Sequence, residues 1–286
     1  MRKNPVVKPC LKWAGGKRQL LSELTKYINQ ESLKKCTYYE PFIGGGALLF
    51  ELQPTRAVIS DKNQELINCY EVVRDSLDDL IEELRTHQEQ NSADYFYEIR
   101  DLDRSPKKYK NLSKVEKAAR IIYLNKTCYN GLFRVNSQRQ FNVPFGRYKK
   151  PNILDEAVLR AVSKYLSKPK VKILNGDFAE AVQNAKKDDF IYFDPPYDPV
   201  SDTASFTGYD VNGFNRDEQK RLKQVFDKLT DRGCKVILSN SQTDFIMDLY
   251  KDYQDKIKVV RAARSINSKG LKRGKVDEIL VLNFSV

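Results

Sequence analysis

Short apolar runs alternate with helical patterns at both ends of this chain, and that alternation limits its fold more than any other feature. The runs at 37–40, 57–60, 171–174, 190–193, 235–239, 257–260 and 278–284 read as strands. Between most of them lie helical patterns, at 16–29, 63–75, 216–230 and 243–250. Strand and helix alternating in this way call for an α/β, doubly wound, mostly parallel sheet covered on both faces. With 286 residues, 41% of them hydrophobic, the chain can bury one large domain of this type and an insertion besides.

The alternation stops between residues 70 and 170. Helical stretches at 76–90, 113–127 and 155–165 follow one another there, with a loop rich in Asn, Arg, Phe and Pro. This predicts an inserted, mainly helical domain at 71–170, with 1–70 and 171–286 forming the sheet domain. The polar segment 198–215, with Phe206, Tyr209 and Phe214, follows a strand end and reads as a mobile active-site loop.

Several function classes drop out early. No apolar run approaches the roughly 18 residues of a membrane span, and the basic N-terminus lacks a secretory apolar core, so cytoplasmic residence is expected. Five cysteines, at 10, 36, 69, 128 and 234, contain no Cys-x-x-Cys pair, which argues against a metal site or a disulfide framework. The single histidine, His87, lies in a charged helical stretch with no nucleophile motif near it; a solvated helix surface is expected, and Ser-His-Asp chemistry is not.

The net charge of +12 is unevenly spread. Residues 61–100 carry 4 basic and 11 acidic side chains, residues 101–150 carry 13 basic and 3 acidic, and residues 258–275 carry 7 basic and none acidic. Concentrated positive charge is the footprint of a polyanion partner, although a solvated basic face produces the same count.

Three motifs carry chemistry. Glu40-Pro41-Phe42-Ile43-Gly44-Gly45-Gly46-Ala47 closes the first strand, and its glycines let a ligand lie against the backbone. It is neither the dinucleotide fingerprint, since Leu49 stands where the last Gly belongs, nor a phosphate loop, since no Gly-Lys-Ser/Thr follows. Asp61, ending the next strand in Ile59-Ser60-Asp61-Lys62-Asn63, can accept the two hydroxyls of a ribose or simply cap a helix. Together the loop and the acid suggest a nucleoside-bearing cofactor. The third motif, Asp194-Pro195-Pro196-Tyr197, directly follows an apolar strand. Two prolines remove two N–H donors, leaving the Asp194 carboxylate and the Pro195 carbonyl to face a ligand. An exocyclic aromatic amine offers two N–H groups to such acceptors, and its delocalised lone pair becomes nucleophilic as they draw the nitrogen toward tetrahedral geometry. Tyr197 offers a flat face for the base.

With these motifs in place, the chain resembles the DNA adenine-N6 methyltransferases of the Dam type, which use S-adenosylmethionine. The resemblance runs from Lys12-Trp13-Ala14-Gly15-Gly16-Lys17 through the motifs above to Lys275-Val276-Asp277-Glu278. It includes Asn130-Gly131-Leu132-Phe133-Arg134 and Phe141-Asn142-Val143-Pro144-Phe145-Gly146-Arg147-Tyr148 in the insertion. The motif order is that of the family's α group, in which the sheet has seven strands, the insertion is the target recognition domain and the target is GATC.

The resemblance implies that Trp13, Lys17, Asp61 and Asp194 contact the cofactor, that Gly44 to Gly46 cradle its methionine end, and that Asp177 and Phe178 flank its adenine. It implies catalysis by Asp194, Pro195 and Tyr197. It also implies contact with double-stranded DNA by Lys12, Tyr129, Asn130, Leu132, Arg134, Pro144 and Arg147, with Tyr129 filling the gap left by a flipped adenine. An arginine such as Arg134 can grip guanine O6 and N7, and Leu132 and Pro144 can meet a thymine methyl. The chain departs from the family pattern at Phe133 and at Ser137 to Gln140. A restriction endonuclease cutting the same site is a candidate partner, in a bacterial or phage setting.

Other readings fit less well. Cytosine-C5 chemistry needs a Pro-Cys nucleophile, and Pro9-Cys10 precedes the glycine loop. Enzymes acting on RNA adenine or protein glutamine often carry Asn where Asp194 stands. Cytosine-N4 methylation of DNA shares the same geometry and is the nearest chemical alternative, while the intact Asp194 to Tyr197 motif argues against a catalytically silent DNA-binding regulator.

Overall fold

The run Phe190–Phe193 is buried at all four positions, which an isolated amphipathic strand never is, so it lies inside the sheet with cover on both faces. In the computed structural model, which describes residues 3–13, 20–199, 214–262 and 276–285, all seven expected strands form. They are β1 (Tyr38–Glu40), β2 (Ala57–Asp61), β3 (Val171–Asn175), β4 (Phe190–Phe193), β5 (Lys235–Ser241), β6 (Ile257–Ala262) and β7 (Val276–Leu282). One sheet contains them in the order β3-β2-β1-β4-β5-β7-β6. β1 runs parallel to β2 and β4, and β4 to β5; β7 is antiparallel to both of its neighbours. The fold is thus α/β with a mostly parallel seven-stranded sheet. Lys17, the expected 198–215 loop between 200 and 213, and the basic stretch from 263 to 275 lie outside the described residues.

Helix boundaries follow from capping. Asn63, Asp155, Asn215 and Thr243 each place a side-chain oxygen on backbone N–H groups of the following first turn, starting Gln64–Asp75, Glu156–Leu166, Arg216–Asp231 and Asp244–Leu249. Ser113 and Glu116 form a reciprocal capping box on Lys114–Thr127. The single helix expected over 16–29 is corrected: Leu21–Leu24 tightens into one 3-10 turn, Thr25–Tyr27, and the Asn29 side chain takes the N–H groups of Glu31 and Ser32 to start a separate helix, Gln30–Leu33. Ala93–Asp101 and Pro106–Asn111 are helices that the sequence reading left unassigned.

The chain divides into two compact units. The first draws on 1–16, 44–53 and 61–176, so the glycine loop and Asp61 share a unit with the helical segment. Its centre is Lys114–Thr127, which buries Ala118 to Asn125 without interruption, among them Arg120. The Arg120 guanidinium donates to the carbonyls of Ile99 and Arg100 and pairs with Asp103 at 2.7 Å, so this buried charge is fully partnered. The second unit draws on 17–43, 54–60 and 177–286. Alternate strand residues Tyr39, Ile191, Phe193, Val236, Leu238, Ile279 and Val281 cluster there with Leu222, Phe226 and Leu229 of Arg216–Asp231. The five cysteines are free thiols, all buried.

His87 is a second correction. It is 7% exposed, stacked on Tyr123 at 4.8 Å, with Nδ1 2.7 Å from the Tyr95 hydroxyl. The charged look of its helix comes from neighbours facing outward; its own position shares the inward face with Leu80, Ile81 and Leu84. Burial holds its pKa down at about 4. In an unfolded chain it would titrate near 6.5, so below that pH the unfolded state takes up a proton that the folded state refuses. Stability is therefore complete above pH 6.5 and declines as pH falls toward 4, by roughly 3 kcal/mol from this group. Urea unfolding between pH 7 and 4.5 should show this loss in the native protein and a markedly shallower one in His87→Gln; identical pH profiles would remove the assignment.

Candidate active site

The strand order reverses between β1 and β4: from β1 the chain builds outward through β2, and from β4 it builds the other way through β5. In an open α/β sheet the crevice at the carboxyl ends beside such a reversal is where ligands bind. Glu40 ends β1 and Asp194 follows β4, so these two acids of the second unit stand at the switch point.

In the second unit, the Asp194-Pro195-Pro196-Tyr197 turn is held almost wholly by side chains. Ser239 Oγ, at the end of β5, donates to Asp194 Oδ1 at 2.9 Å and lies 3.0 Å from the Tyr192 hydroxyl. Gln219 donates to the Pro196 carbonyl at 2.8 Å, and Asn240 joins the frame by donating to Gln219 and accepting the Asp198 N–H. The Asp198 carboxylate, itself buried, accepts from Thr243 and pairs with Arg216. Among the described residues no hydrogen bond reaches the Pro195 carbonyl. The Tyr197 hydroxyl donates to Glu278 at 3.1 Å. Burial first, then the nearby Asp194 charge, pushes the Tyr197 phenol well above its ordinary range, so it stays protonated.

Asp177 and Phe178 also lie in this unit. Asp177 caps a short helix through the Ala179 N–H and takes a bidentate ion pair from Arg221, at 2.9 and 2.5 Å. The Arg221 guanidinium sits 4.1 Å over the Phe178 ring, whose neighbours are Phe42 and Phe214.

In the first unit, Gly44 donates its N–H to Asp61 Oδ2 at 3.1 Å, and the Asn63 N–H reaches Oδ1 at 2.9 Å. Burial raises the Asp61 pKa, and the N–H groups of Asn63, Gly44 and Lys62 oppose that rise. The Tyr70 hydroxyl donates to the Gly44 carbonyl at 2.8 Å. Trp13 lies against the loop: a Cβ on Gly44 would come within 3.1 Å of its ring. Its indole stacks on Phe133 at 4.6 Å.

Apart from Lys12, which comes from the N-terminal segment, the expected DNA-contacting residues sit on one irregular stretch of this unit, 129–147. Tyr129 is 56% exposed, a high value for an aromatic side chain, and its N–H holds the Pro144 carbonyl. Asn130 and Arg147 both adopt positive φ. Lys12, Arg134, Pro144 and Arg147 are exposed, and Leu132 is half-buried. Arg134 donates through Nε and Nη2 to Asn142, across a bridge between Val135 and Phe141. The Ser137 to Gln140 departure forms a tight turn in which Asn136 Oδ1 accepts the N–H groups of Gln138 and Gln140.

Ser239, Asn240, Gln219 and Arg221 were missed from sequence. The first two left one signal: polar residues in succession at the end of an apolar strand.

A doubly wound sheet with a glycine loop after its first strand, an acid after its second and Asp-Pro-Pro-Tyr after its fourth is the architecture of an amino-methyltransferase. Residues 13–266 match the family described as D12 class N6 adenine-specific DNA methyltransferase, and the chain belongs to that family. It is 47% identical over 285 residues to the Type II methyltransferase M1.LlaDCHI of Lactococcus lactis subsp. cremoris, covering 99% of this chain and 98% of that one. It is 45% identical to the Type II methyltransferase M.MjaIII of Methanocaldococcus jannaschii, covering 97% and 99% of the two chains. It is 34% identical to the DNA adenine methylase of Escherichia coli K12, covering 99% and 96%. The enzyme is an adenine-specific DNA methyltransferase.

The glycine loop gives a direct test. Gly46 has φ of 70°, and a Cβ there would lie 2.8 Å from the buried Phe50 ring and 3.0 Å from the Tyr70 hydroxyl. Gly46→Ala should cost roughly 1–3 kcal/mol through backbone strain, with a similar amount from overpacking. Equilibrium urea unfolding measures it, and a loss below about 0.5 kcal/mol, the size of a neutral surface change, would show that the loop needs no glycine there.

Proposed function

We propose that this enzyme transfers the methyl group of S-adenosylmethionine to the N6 amine of an adenine flipped out of double-stranded DNA, within GATC. The carrying observation is the Asp194 carboxylate, oriented by Ser239 at the sheet's switch point and followed by the Pro195 carbonyl, which no hydrogen bond reaches among the described residues. Two acceptors set there can take the two hydrogens of one exocyclic amine. They draw its lone pair out of the ring and stabilise the positive charge that develops on nitrogen as the bond to the methyl carbon forms and that carbon's bond to sulfur breaks. One amine proton then leaves by way of the Asp194 carboxylate. Tyr197, kept protonated, stacks on the base rather than acting as a general base.

The residues present fit S-adenosylmethionine. The Gly44–Gly46 turn packs so closely on Trp13, Phe50 and Tyr70 that only glycine keeps its backbone bare toward a ligand, and among the described residues the buried Ser60 Oγ, next in sequence to Asp61, has no hydrogen-bond partner. When bound, this cofactor supplies an electrophilic methyl on a sulfonium. Trp13, Lys17, Gly44, Gly46, Asp61, Asp177, Phe178 and Asp194 are the residues proposed to hold it, with Asp61 accepting from the ribose hydroxyls.

On the DNA side we assign 71–170 to target recognition and 1–70 with 171–286 to catalysis. Lys12, Tyr129, Asn130, Leu132, Arg134, Pro144 and Arg147 are the proposed contacts, with the exposed Tyr129 ring filling the vacated base position. Arg134 spends Nε and one Nη2 hydrogen on Asn142, which leaves the outer edge of its fork for guanine O6 and N7. The proposed setting is the cytoplasm, with a restriction endonuclease of the same site as a partner in a Type II system.

Transfer of labelled methyl from S-adenosylmethionine to duplexes carrying GATC and each one-base variant tests the reading. Asp194→Ala should lower single-turnover methylation about 100-fold to 1000-fold while DNA binding persists, and a near-native rate in that variant would overturn the catalytic assignment. Arg134→Ala should cost roughly 1–3 kcal/mol on GATC and much less on a duplex already altered at the guanine it reads. Uniform slowing on every duplex would make Arg134 a phosphate contact.

A further inference from the structure

Asn125 is fully buried on the helix Lys114–Thr127, and its amide is spent on two distant pieces of backbone. Oδ1 accepts the Lys12 N–H at 2.8 Å, and Nδ2 donates to the Lys12 carbonyl at 2.7 Å and to the Gly131 carbonyl at 3.1 Å. The side chain therefore pairs with Lys12 as a neighbouring strand would, across 113 positions of sequence, and grips the Tyr129–Gly131 turn with its remaining hydrogen. Gly131 permits this closeness: its φ is +63°, and a Cβ there would lie 2.5 Å from Lys12 Cδ.

One residue on from Lys12 and two on from Gly131, the same two pieces meet again. Trp13 stacks on Phe133 with the ring planes 19° apart, and Phe133 packs edge-on to Phe141 at 5.8 Å. Phe141 is in turn fixed through its backbone, its N–H donating to Asp103 and its carbonyl accepting from Arg104.

We propose that Asn125 is a specificity-positioning residue: by clamping Lys12 and Gly131 to one buried amide, it fixes the Tyr129–Arg134 segment in the register in which it reads DNA. This rests on the proposed role of that segment. Asn125 touches no base itself and acts through the segments it joins.

Asn125→Asp is the sharp variant, since it keeps the shape and the acceptor for the Lys12 N–H but sets a carboxylate oxygen against two carbonyls. Asn125→Ala removes all three bonds without adding charge. In either variant KM for the GATC duplex should rise about tenfold or more and the preference for GATC over one-base variants should fall about tenfold. The rate at saturating GATC should change by less than about threefold. Trp13, the one tryptophan of the chain, gives an independent signal: its emission should shift to the red as the stack on Phe133 loosens. Equal slowing on every duplex, or unchanged KM and preference in a folded variant, overturns the proposal. So does failure of both variants to fold, which would make Asn125 a stability residue. A native enzyme indifferent to sequence would bring down the reading of the segment and this inference together; a selective native enzyme with unaffected variants brings down the inference alone.

Discussion

Two consecutive prolines after a buried strand set the terms for the turn that carries Asp194. Pro195 and Pro196 have no N–H, so the turn that presents Asp194 cannot be braced by its own backbone donors and has to be braced from outside. The structure supplies that brace from β5 and from the helix that packs on the sheet. Ser239 orients the carboxylate, Gln219 holds the Pro196 carbonyl, and Asn240 connects Gln219 to the Asp198 N–H. Gln219, Ser239 and Asn240 are all buried, where an amide or hydroxyl without a partner would cost about 1–3 kcal/mol. The network is satisfied internally, and so the turn has one low-energy arrangement. Among the described residues no hydrogen bond reaches the Pro195 carbonyl, the second acceptor of the proposed chemistry.

The first unit uses the same logic with a helix in place of a strand. Lys114–Thr127 is buried along most of its length, and its two large polar residues each serve as a fixed point for irregular chain. Arg120 gathers the Ile99 and Arg100 carbonyls and Asp103; Asp103 then receives the Phe141 N–H at the base of the proposed base-reading hairpin. Asn125 gathers Lys12 and Gly131. The irregular stretch 129–147 is thus tied at two places to the buried helix Lys114–Thr127, by Asn125 at Gly131 and through Arg120 and Asp103 at Phe141.

What the sequence disclosed and what it concealed divide along the range of the interactions. The strands were legible because Phe190–Phe193 and its counterparts are apolar runs bounded by turn residues, and the helix starts because caps such as Ser113 and Asn215 act within three residues. The Asp194-Pro195-Pro196-Tyr197 motif stood out because its four residues are contiguous. Arg221 was not, since nothing local announces that it will bridge to Asp177 across 44 positions, and Asn125 was hidden for the same reason. His87 misled because its flanking residues are charged: composition averages over all faces of a helix, while burial depends on one. The short helices Ala93–Asp101 and Pro106–Asn111 escaped because neither is long enough to establish a periodic apolar face.

The charge argument also changes once side chains are placed. Of the 13 basic residues between 101 and 150, Arg120 is buried and committed to internal carbonyls. Arg104 is likewise turned inward, pairing with Asp103 and holding the Phe141 carbonyl, and Lys126 is half-buried, with desolvation lowering its pKa. These cations build the unit and do not add to its outward field. Lys107, Lys108, Lys110, Lys114, Arg134, Arg139, Arg147, Lys149 and Lys150 are exposed. Counterion release scales with phosphates actually met, so this outward-facing subset, and not the raw count, sets the electrostatic attraction to DNA. Lys107, Lys108 and Lys110 lie on the short helix Pro106–Asn111 and Lys114 starts the next one, while Arg134 to Lys150 follow the proposed reading hairpin, so under the proposed function the first group falls to the phosphates and the second to the base edges.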